Sequence, residues 1–498
     1  MMVLSLRLNS LELRMIMRPA CWEMDWAEVA VLDGNAKALG IDPSVLMKAA
    51  GVSIAEKVAD VSDGGGIVFL CGPGNNGGDG FTAANHLAGL GHEIIVIASH
   101  SKSKSPEAIS AREGVSEVVD VQVWPSKPDG GFSLIVDCLL GAGAAGPGVD
   151  LRGSIADIVD WARSLEVPVL ACDIPTGMGS EGALTADYTV TFHSTKRGFN
   201  AYDCGEITVA TLPWPREVED CGRGDIERYP AIDEYARKGD RGRLLVIGGG
   251  PFHGAPILAG MAAARSGCDL VHVAMPSLAS RRVEWPPTLI REELPDNEIL
   301  TTASIESISA FLESSMRPDA MVIGPGLGRE EEVTLAVSEL LDLAVKKGVP
   351  VVVDADGISA LPKGSWPLGL IGVATPHSKE AARWLGESLP SHALSDLFGE
   401  CVSIVVTGPV DEITGPEGRH CYSSGGNPRM AVGGTGDLLA GAIGGMMAQG
   451  MTPWAASRLG SAAIREAGGR AAKSIGPGLI AEDVPVHISQ TLESWLGD

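Results

Sequence analysis

The sequence predicts an α/β protein made of two doubly wound domains, and three observations carry that expectation. Short apolar runs alternate with glycine turns and helical patterns. The alternation restarts after a polar, proline-bearing stretch between Leu212 and Arg241 that shows no clear buried face. The length of 498 residues exceeds that of an ordinary single domain. The boundary is expected near Gly222, with residues 1–23 a poorly informative extension, 24–222 the first domain and 223–498 the second.

The balance of 38 basic against 63 acidic residues gives a net charge of −25. That argues against nucleic acid or an anionic membrane as the main partner, so an anionic ligand has to be held by backbone amides and local dipoles. Nine cysteines are scattered without a CxxC pair, which points to a reducing cytoplasm. Arg7, Glu12, Arg14 and Arg18 interrupt the apolar start, so no export signal is expected, and no run reaches membrane length without glycine, proline or charge.

From Met24 onward, AEVAVLDGNAKALGI and PSVLMKAAGVSIAEKVADV read as two helices joined at Asp42 and Pro43. The strand GIVFL, the glycine turn CGPGNNGGDG with its helix, and the strand EIIVIAS form one parallel crossover unit. Gly72, Gly74 and Gly77 satisfy GxGxxG, but Ser99, His100 and Ser101 stand where a dehydrogenase would carry its ribose-binding acid. The segment Asn75 to Asp79 exceeds that fingerprint; its side chains either form a site or merely take turn dihedrals and cap the helix. Asp137 lies among Ile135, Val136 and Leu139, a costly position unless it holds a partner, a cation or a proton. Gly141, Gly143 and Gly146 follow it. The next strand exits at Asp173, Pro175 and Thr176, and TVTFHSTKRG delivers Lys196 to a loop. Asn76, Asp137 and Thr176 together would make an oxygen-rich cage of low charge, better suited to a monovalent or hard cation than to zinc.

In the second half, RLLVIGGG, CDLVHVAMP, DAMVIGPGLG, VPVVVDADG and GVATPHSKE read as strands ending in glycine, acid or histidine turns. Asp354 and Asp356 could hold magnesium or cap the short helix after them, and His377 is either structural or a ligand. REEEVTLAVSELLDLAVKKG is a solvated amphipathic helix with acids first and lysines last, as the helix dipole favours. In GGNPRMAVGGTGDLLAG, Gly433, Gly434 and Gly436 let the backbone approach an anion at a helix start. Asp437 at its mouth either caps that helix or takes a proton from an attacking hydroxyl.

The motifs GPGNNGGDG, IVDCLLGAG, DIPTGM and TVTFHSTKRG resemble the NAD(P)H-hydrate epimerases over about Met24 to Trp214. That resemblance implies a Rossmann-like three-layer domain with potassium held by Asn76, Asp137 and Thr176. It also implies substrate contacts from Asn75, Asn76, Gly77, Gly78 and Asp79, from Gly141, Ala142, Gly143, Ala144, Ala145, Gly146 and Pro147, and from Asp173. Asp137 or Asp173 would assist epimerisation. VIGGG with HGAP, IGPGLG, DADG, ATPHSKE and GNPRMAVGGTGDLLAG resemble the ADP- or ATP-dependent NAD(P)H-hydrate dehydratases of the ribokinase-like superfamily, over about Arg237 to Pro485. There the resemblance makes Asp437 the catalytic base, puts Ala255, Gly326 and His377 on the hydrated cofactor, and gives the nucleotide Gly436 with Thr407, Gly408, Pro409, Val410 and Asp411. Magnesium would accompany ADP or ATP.

The chain departs from these patterns in several places. LMKAAG stands for LMENAG, Thr176 for a serine, Thr407 for a lysine, and a histidine-glycine pair is missing near Ala463 to Glu466. The expected partners are NADHX, NADPHX and ADP, in a homo-oligomer. The rival readings are a ribokinase-like vitamin or thiazole kinase with a non-catalytic N-terminal binding module, and a dehydrogenase using the literal GxGxxG.

Overall fold

The computed structural model describes residues 23–128, 131–143, 148–386 and 401–497. The chain divides into two compact units, Met1–Arg216 and Glu217–Asp498. Each is an α/β layer structure on a largely parallel sheet, the fold class expected. Among the described residues no helix is long and apolar enough to cross a membrane.

In the first unit seven parallel strands, β1 (Gly66–Cys71), β2 (Ile94–Ala98), β3 (Asp120–Val123), β4 (Phe132–Cys138), β5 (Val169–Cys172), β6 (Tyr188–Phe192) and β7 (Glu206–Ala210), lie in the order β3-β2-β1-β4-β5-β6-β7. The two-residue period of a strand divides their side chains between two cores. Ile67, Phe69, Cys71 and Val136 pack on one face with Phe81 and Leu87 of the helix Asn75–Gly89. Val68, Leu70 and Ile135 pack on the other with Ile158 and Val159 of the helix Gly153–Ser164. Strand order reverses between β1 and β4, which opens a crevice beyond their carboxyl ends.

The second unit repeats this plan. The strands β8 (Arg243–Ile247), β9 (Leu270–Pro276), β10 (Ile290–Leu294), β11 (Ala320–Ile323), β12 (Val351–Val353), β13 (Gly372–Ala374) and β14 (Val402–Val406) run parallel. The antiparallel β15 (Asp411–Thr414) and β16 (His420–Ser423) complete the order β10-β9-β8-β11-β12-β13-β14-β15-β16. Reversal falls between β8 and β11. Val246 and Val322 face the helices Ala255–Arg265, Thr435–Ala448 and Pro453–Ile475, whereas Ile247 and Ile323 face Glu331–Lys347. At Gly441 a Cβ would stand 2.0 Å from the Ala259 carbonyl oxygen, so the helices Thr435–Ala448 and Ala255–Arg265 touch backbone to backbone.

The stretch between Leu212 and Arg241, which the sequence reads as lacking a buried face, does bury Val218, Asp225 and Ile226. Its 3-10 turns Arg216–Glu219 and Arg223–Arg228 carry no helical or strand period to reveal that face. Arg458 anchors it from within: Nε donates to Asp225 Oδ1 at 2.5 Å, Nη1 to the Glu219 carbonyl at 3.1 Å and Nη2 to the Asp220 carbonyl at 3.2 Å. Arg458→Met would leave the Asp225 carboxylate buried with the Gly222 N–H at 2.8 Å and, as its nearest cation, the more distant Arg228 at 3.8 Å. The expected loss is about 3–5 kcal/mol in the unfolding of the second unit. Denaturant titration checks this, and a loss below about 1 kcal/mol would show the pair to be of surface-bridge strength.

Candidate functional site

In the first unit, Gly72 follows β1 so closely to β4 that a Cβ there would lie 1.8 Å from the Leu139 carbonyl oxygen. The helix Asn75–Gly89 starts immediately after its cap residue Gly74, so Asn75, Asn76, Gly77, Gly78 and Asp79 form a helical first turn. Asn76 is buried and packs on Gly141, where an added Cβ would sit 2.9 Å from Asn76 Oδ1; its Nδ2 has no hydrogen-bond partner among the described residues. It therefore belongs to the crevice and is not a cap. Asp137 is fully buried: Oδ1 accepts from Leu139 N at 3.1 Å and Thr176 Oγ1 at 2.8 Å, and Oδ2 from Thr176 N at 2.8 Å. Burial pushes its pKa up to about 6, against the lowering effect of those donors. Asp137 and Thr176 are thus bonded to each other and Asn76 packs on Gly141 at the same strand end, so a buried amide, carboxylate and hydroxyl stand at the exit of β4 and β5. Their oxygens, with one charge among them, would suit a weakly charged oxygen-ligated cation.

Asp173 stands beside this group with a left-handed φ of 65°. Its Oδ2 accepts from Ala142 N at 2.8 Å, and its Oδ1 pairs at 2.7 Å with Lys196 Nζ, which also donates to Thr191 Oγ1 and the Phe192 carbonyl. Lys196 is 2% exposed, and the loop position read from sequence gave no hint of this role. Asp79 is half-buried, and its pKa is held well above the usual carboxylate range by burial and by the charges of Asp173 and Asp33. Asp33, exposed on its outer side on the helix Trp26–Ala38, is pushed up to about 6 by loss of solvent and by Asp173, with Lys196 opposing. Asp33 was missed, since one acid on an amphipathic helix carries no sequence signal. Asn75 is exposed and accepts from Ser105 Oγ. Ala144, Ala145, Gly146 and Pro147 lie outside the described residues.

In the second unit the predicted residues gather at the carboxyl ends of β8, β11, β12, β13 and β14. Gly324 admits the Asp354 carbonyl oxygen 1.8 Å from where its Cβ would be. Gly326 has a φ of 68°, and a Cβ there would be 3.1 Å from Ala255 Cβ, so these two are neighbours. His377 caps the helix Ser378–Leu385: its Nδ1 accepts from Lys379 N at 3.1 Å and Glu380 N at 3.3 Å. Its backbone bridges Thr407. The structural reading of His377 is thus realised, with Nε2 of the half-exposed ring 3.4 Å from Glu380.

The cap position of the helix Thr435–Ala448 belongs to Gly434, with φ 100°, and Asp437 stands in its first turn next to the exposed Gly433 and Gly436. Burial, followed by the charge of Asp356, pushes Asp437 up to about 6. A helix N-terminus favours an anion by about 0.3–1 kcal/mol. One pKa unit corresponds to about 1.4 kcal/mol, so burial outweighs the dipole here. Asp354 is pushed up to about 7 by burial and by Asp437, against the hydroxyl of Thr375 at 2.6 Å. It occupies a cap position without a capping bond. Asp356 accepts from Gly328 N at 2.9 Å and Arg329 Nε at 3.0 Å. Among the described residues no group of three or more His, Cys, Asp or Glu could hold a metal ion. Gly408, Pro409 and Val410 are exposed, but the Asp411 carboxylate turns inward to Gly408 N, Ser461 and Arg465.

Two family models match the chain: one described as YjeF-related protein N-terminus over residues 43–198, and one described as NAD(P)H-hydrate dehydratase over residues 244–490. The bifunctional NAD(P)H-hydrate repair enzyme Nnr of Hyperthermus butylicus is 33% identical over 464 residues, covering 87% of this chain and 85% of its own. The Nnr of Methanothermobacter thermautotrophicus is 32% identical, with 94% of each chain covered, and that of Archaeoglobus fulgidus is 34% identical over 83% of this chain and 86% of its own. Among solved structures, the Bacillus subtilis ADP/ATP-dependent NAD(P)H-hydrate dehydratase co-crystallised with ATP and Mg2+ is 24% identical, covers 57% of this chain and 98% of its own, and has a TM-score of 0.44. The two crevices, one per unit, thus fall within the two matched segments, and identity above 30% extends across both: the chain belongs to the family of bifunctional NAD(P)H-hydrate repair enzymes.

Proposed function

We propose that the chain repairs hydrated NAD(P)H, the first unit interconverting the R and S epimers and the second dehydrating the S form with ADP. The observation that carries this reading is Asp437, a carboxylate with its pKa raised to about 6 in the first helical turn beside three glycines. Asp437 takes the proton of the ring hydroxyl. The hydroxyl oxygen then bonds to the β-phosphorus of ADP and AMP leaves, while the amides around Gly433, Gly434 and Gly436 hold the transferring oxygens. Phosphate departs with the former hydroxyl oxygen, C5 loses a proton, and the ring double bond returns. Ala255, Gly326 and His377 flank the hydrated ring, and the loop from Thr407 to Asp411 flanks the nucleotide. Magnesium would neutralise phosphate charge when bound with ADP.

In the first unit Asn76, Asp137 and Thr176 would hold potassium, whose charge would offset that of the Asp137 carboxylate. Asp137 is fully enclosed, whereas Asp173 and Asp79 keep some exposure, so we assign proton transfer to the Asp173 and Asp79 pair. Asp79 is biased toward its protonated form and can protonate the departing hydroxyl; Asp173, oriented by Lys196, can take the proton of the water that re-adds on the other face. Ala142 and Gly143 would contact the ring. The products of the first unit are the substrates of the second.

Asp437→Asn is expected to lower dehydration by about 10²–10⁴-fold while epimerisation continues. Recovery of NADH absorbance from a mixed-epimer sample, together with chromatographic separation of the epimers, measures both. Loss of both activities together would contradict the division of labour. Asp437 must be ionised to act, so dehydratase kcat/KM should fall as pH drops through about 6 and level off above about 7. A flat profile from pH 5 to 8 would remove Asp437 as the base. Epimerisation should run faster in KCl than in choline chloride at equal ionic strength, and Thr176→Val should erase most of that difference. An unchanged potassium response in the variant would place the cation elsewhere.

A further inference from the structure

We propose that Arg465 is a positioning residue for nucleotide use, fastening the loop 407–411 and the Gly425 end of the glycine-rich segment into one piece. The proposal rests on the reading of the second unit as an ADP-dependent dehydratase. Arg465 projects from the long helix Pro453–Ile475, and its side chain is 12% exposed. A guanidinium has five N–H donors in a rigid plane, and here all five are engaged. Nε donates to Asp411 Oδ2 at 3.0 Å. Nη1 donates to the Pro409 carbonyl at 2.9 Å and the Gly425 carbonyl at 3.2 Å. Nη2 donates to the Gly408 carbonyl at 2.8 Å and to Asp411 Oδ1. Asp411 completes the knot by accepting from Ser461 Oγ at 2.6 Å and from Gly408 N at 3.1 Å.

The chemistry of the loop explains why such a clamp matters. Thr407, Gly408, Pro409 and Val410 bring no cationic side chain, and the one charged member, Asp411, would repel phosphate if it faced the ligand. What the loop can offer a nucleotide is main-chain groups and apolar surface, and these count only if their positions are fixed in advance. Three of its residues are held by one guanidinium, which at the same time neutralises the acid. Gly425, at φ 94°, and Gly426, at φ 81°, give the second strand of the knot a conformation with no stiffness of its own. The same guanidinium therefore sets the start of the segment that leads to Gly433 and Asp437. A lysine could satisfy part of Asp411 but could not bridge three carbonyls and a bidentate carboxylate from one plane.

The test compares Arg465→Lys and the double variant Arg465→Met with Asp411→Asn, which leaves no lone buried carboxylate, against the unmodified full chain. Expected are a rise of about tenfold or more in KM for ADP, with KM for the hydrated cofactor and the epimerisation rate within about twofold. The thermal transition of the second unit should persist in the double variant. A KM for ADP within about twofold of the unmodified chain, in a variant that still melts cooperatively, would overturn the proposal. So would a fall in kcat with KM for ADP unchanged, or equal losses in every parameter, which mark a merely structural arginine. Absence of ADP-driven turnover in the unmodified chain would sink the dehydratase reading itself, and that result needs no variant.

Discussion

Both candidate sites depend on a steric constraint, the closeness of backbone to backbone where strand order reverses. At Gly72 the Leu139 carbonyl oxygen fills the place of a side chain, and at Gly324 the Asp354 carbonyl does the same. A methyl group at either position would push one strand end away from its neighbour by more than an ångström, and the residues beyond would lose their alignment. In the first unit those residues are Asn76, Asp137 and Thr176; in the second they are Asp354 and, across the crevice, Asp437. The contact between the helices Thr435–Ala448 and Ala255–Arg265 at Gly441 extends the same principle, tying the glycine turn before Asp437 to the helix that carries Ala255.

A chain with a net charge of −25 that handles phosphates has to solve an electrostatic problem locally. The first unit distributes its acids among donors: Asp137 receives two backbone N–H groups and a hydroxyl, and Asp173 receives Lys196 and one backbone N–H. The second unit leaves Asp354 and Asp437 less compensated, and both rise toward neutral pH. A base with a pKa near 6 is strong enough to accept a proton yet mostly ionised at pH 7. Arg465 spends its charge on Asp411, beneath the loop and not toward the ligand.

The sequence made the strand exits legible because glycine, acid and hydroxyl cluster there against apolar runs; Asn76, Asp137, Thr176 and Asp354 stand at or just beyond such exits, and Asp437 stands at the helix start that its glycine turn announces. What it could not reveal depends on side chains meeting across long separations. Arg465 reaches Asp411 over 54 positions and Arg458 reaches Asp225 over 233, each from a helix whose small-residue pattern suggests only packing. The buried face of the stretch after Leu212 was hidden because 3-10 turns have neither of the periods used to recognise burial. His377 shows what a strand-exit position leaves open: its Nδ1 caps the following helix, while the half-exposed ring does not decide between a purely structural role and a ligand contact.

Two departures from the family pattern, Thr407 for a lysine and Arg465 where a histidine-glycine pair was expected, are far apart in sequence and adjacent in the fold. The cation absent from the loop reappears beneath it, on the helix Pro453–Ile475, where it contacts the residues immediately following Thr407. A lysine on the loop could meet a phosphate directly as a point charge. An arginine under the loop cannot, because its five donors are already engaged, so its contribution has to come through the position of the main chain it holds. On the proposed assignment of the loop 407–411 to the nucleotide, binding would depend more on preorganised backbone and less on direct charge contact.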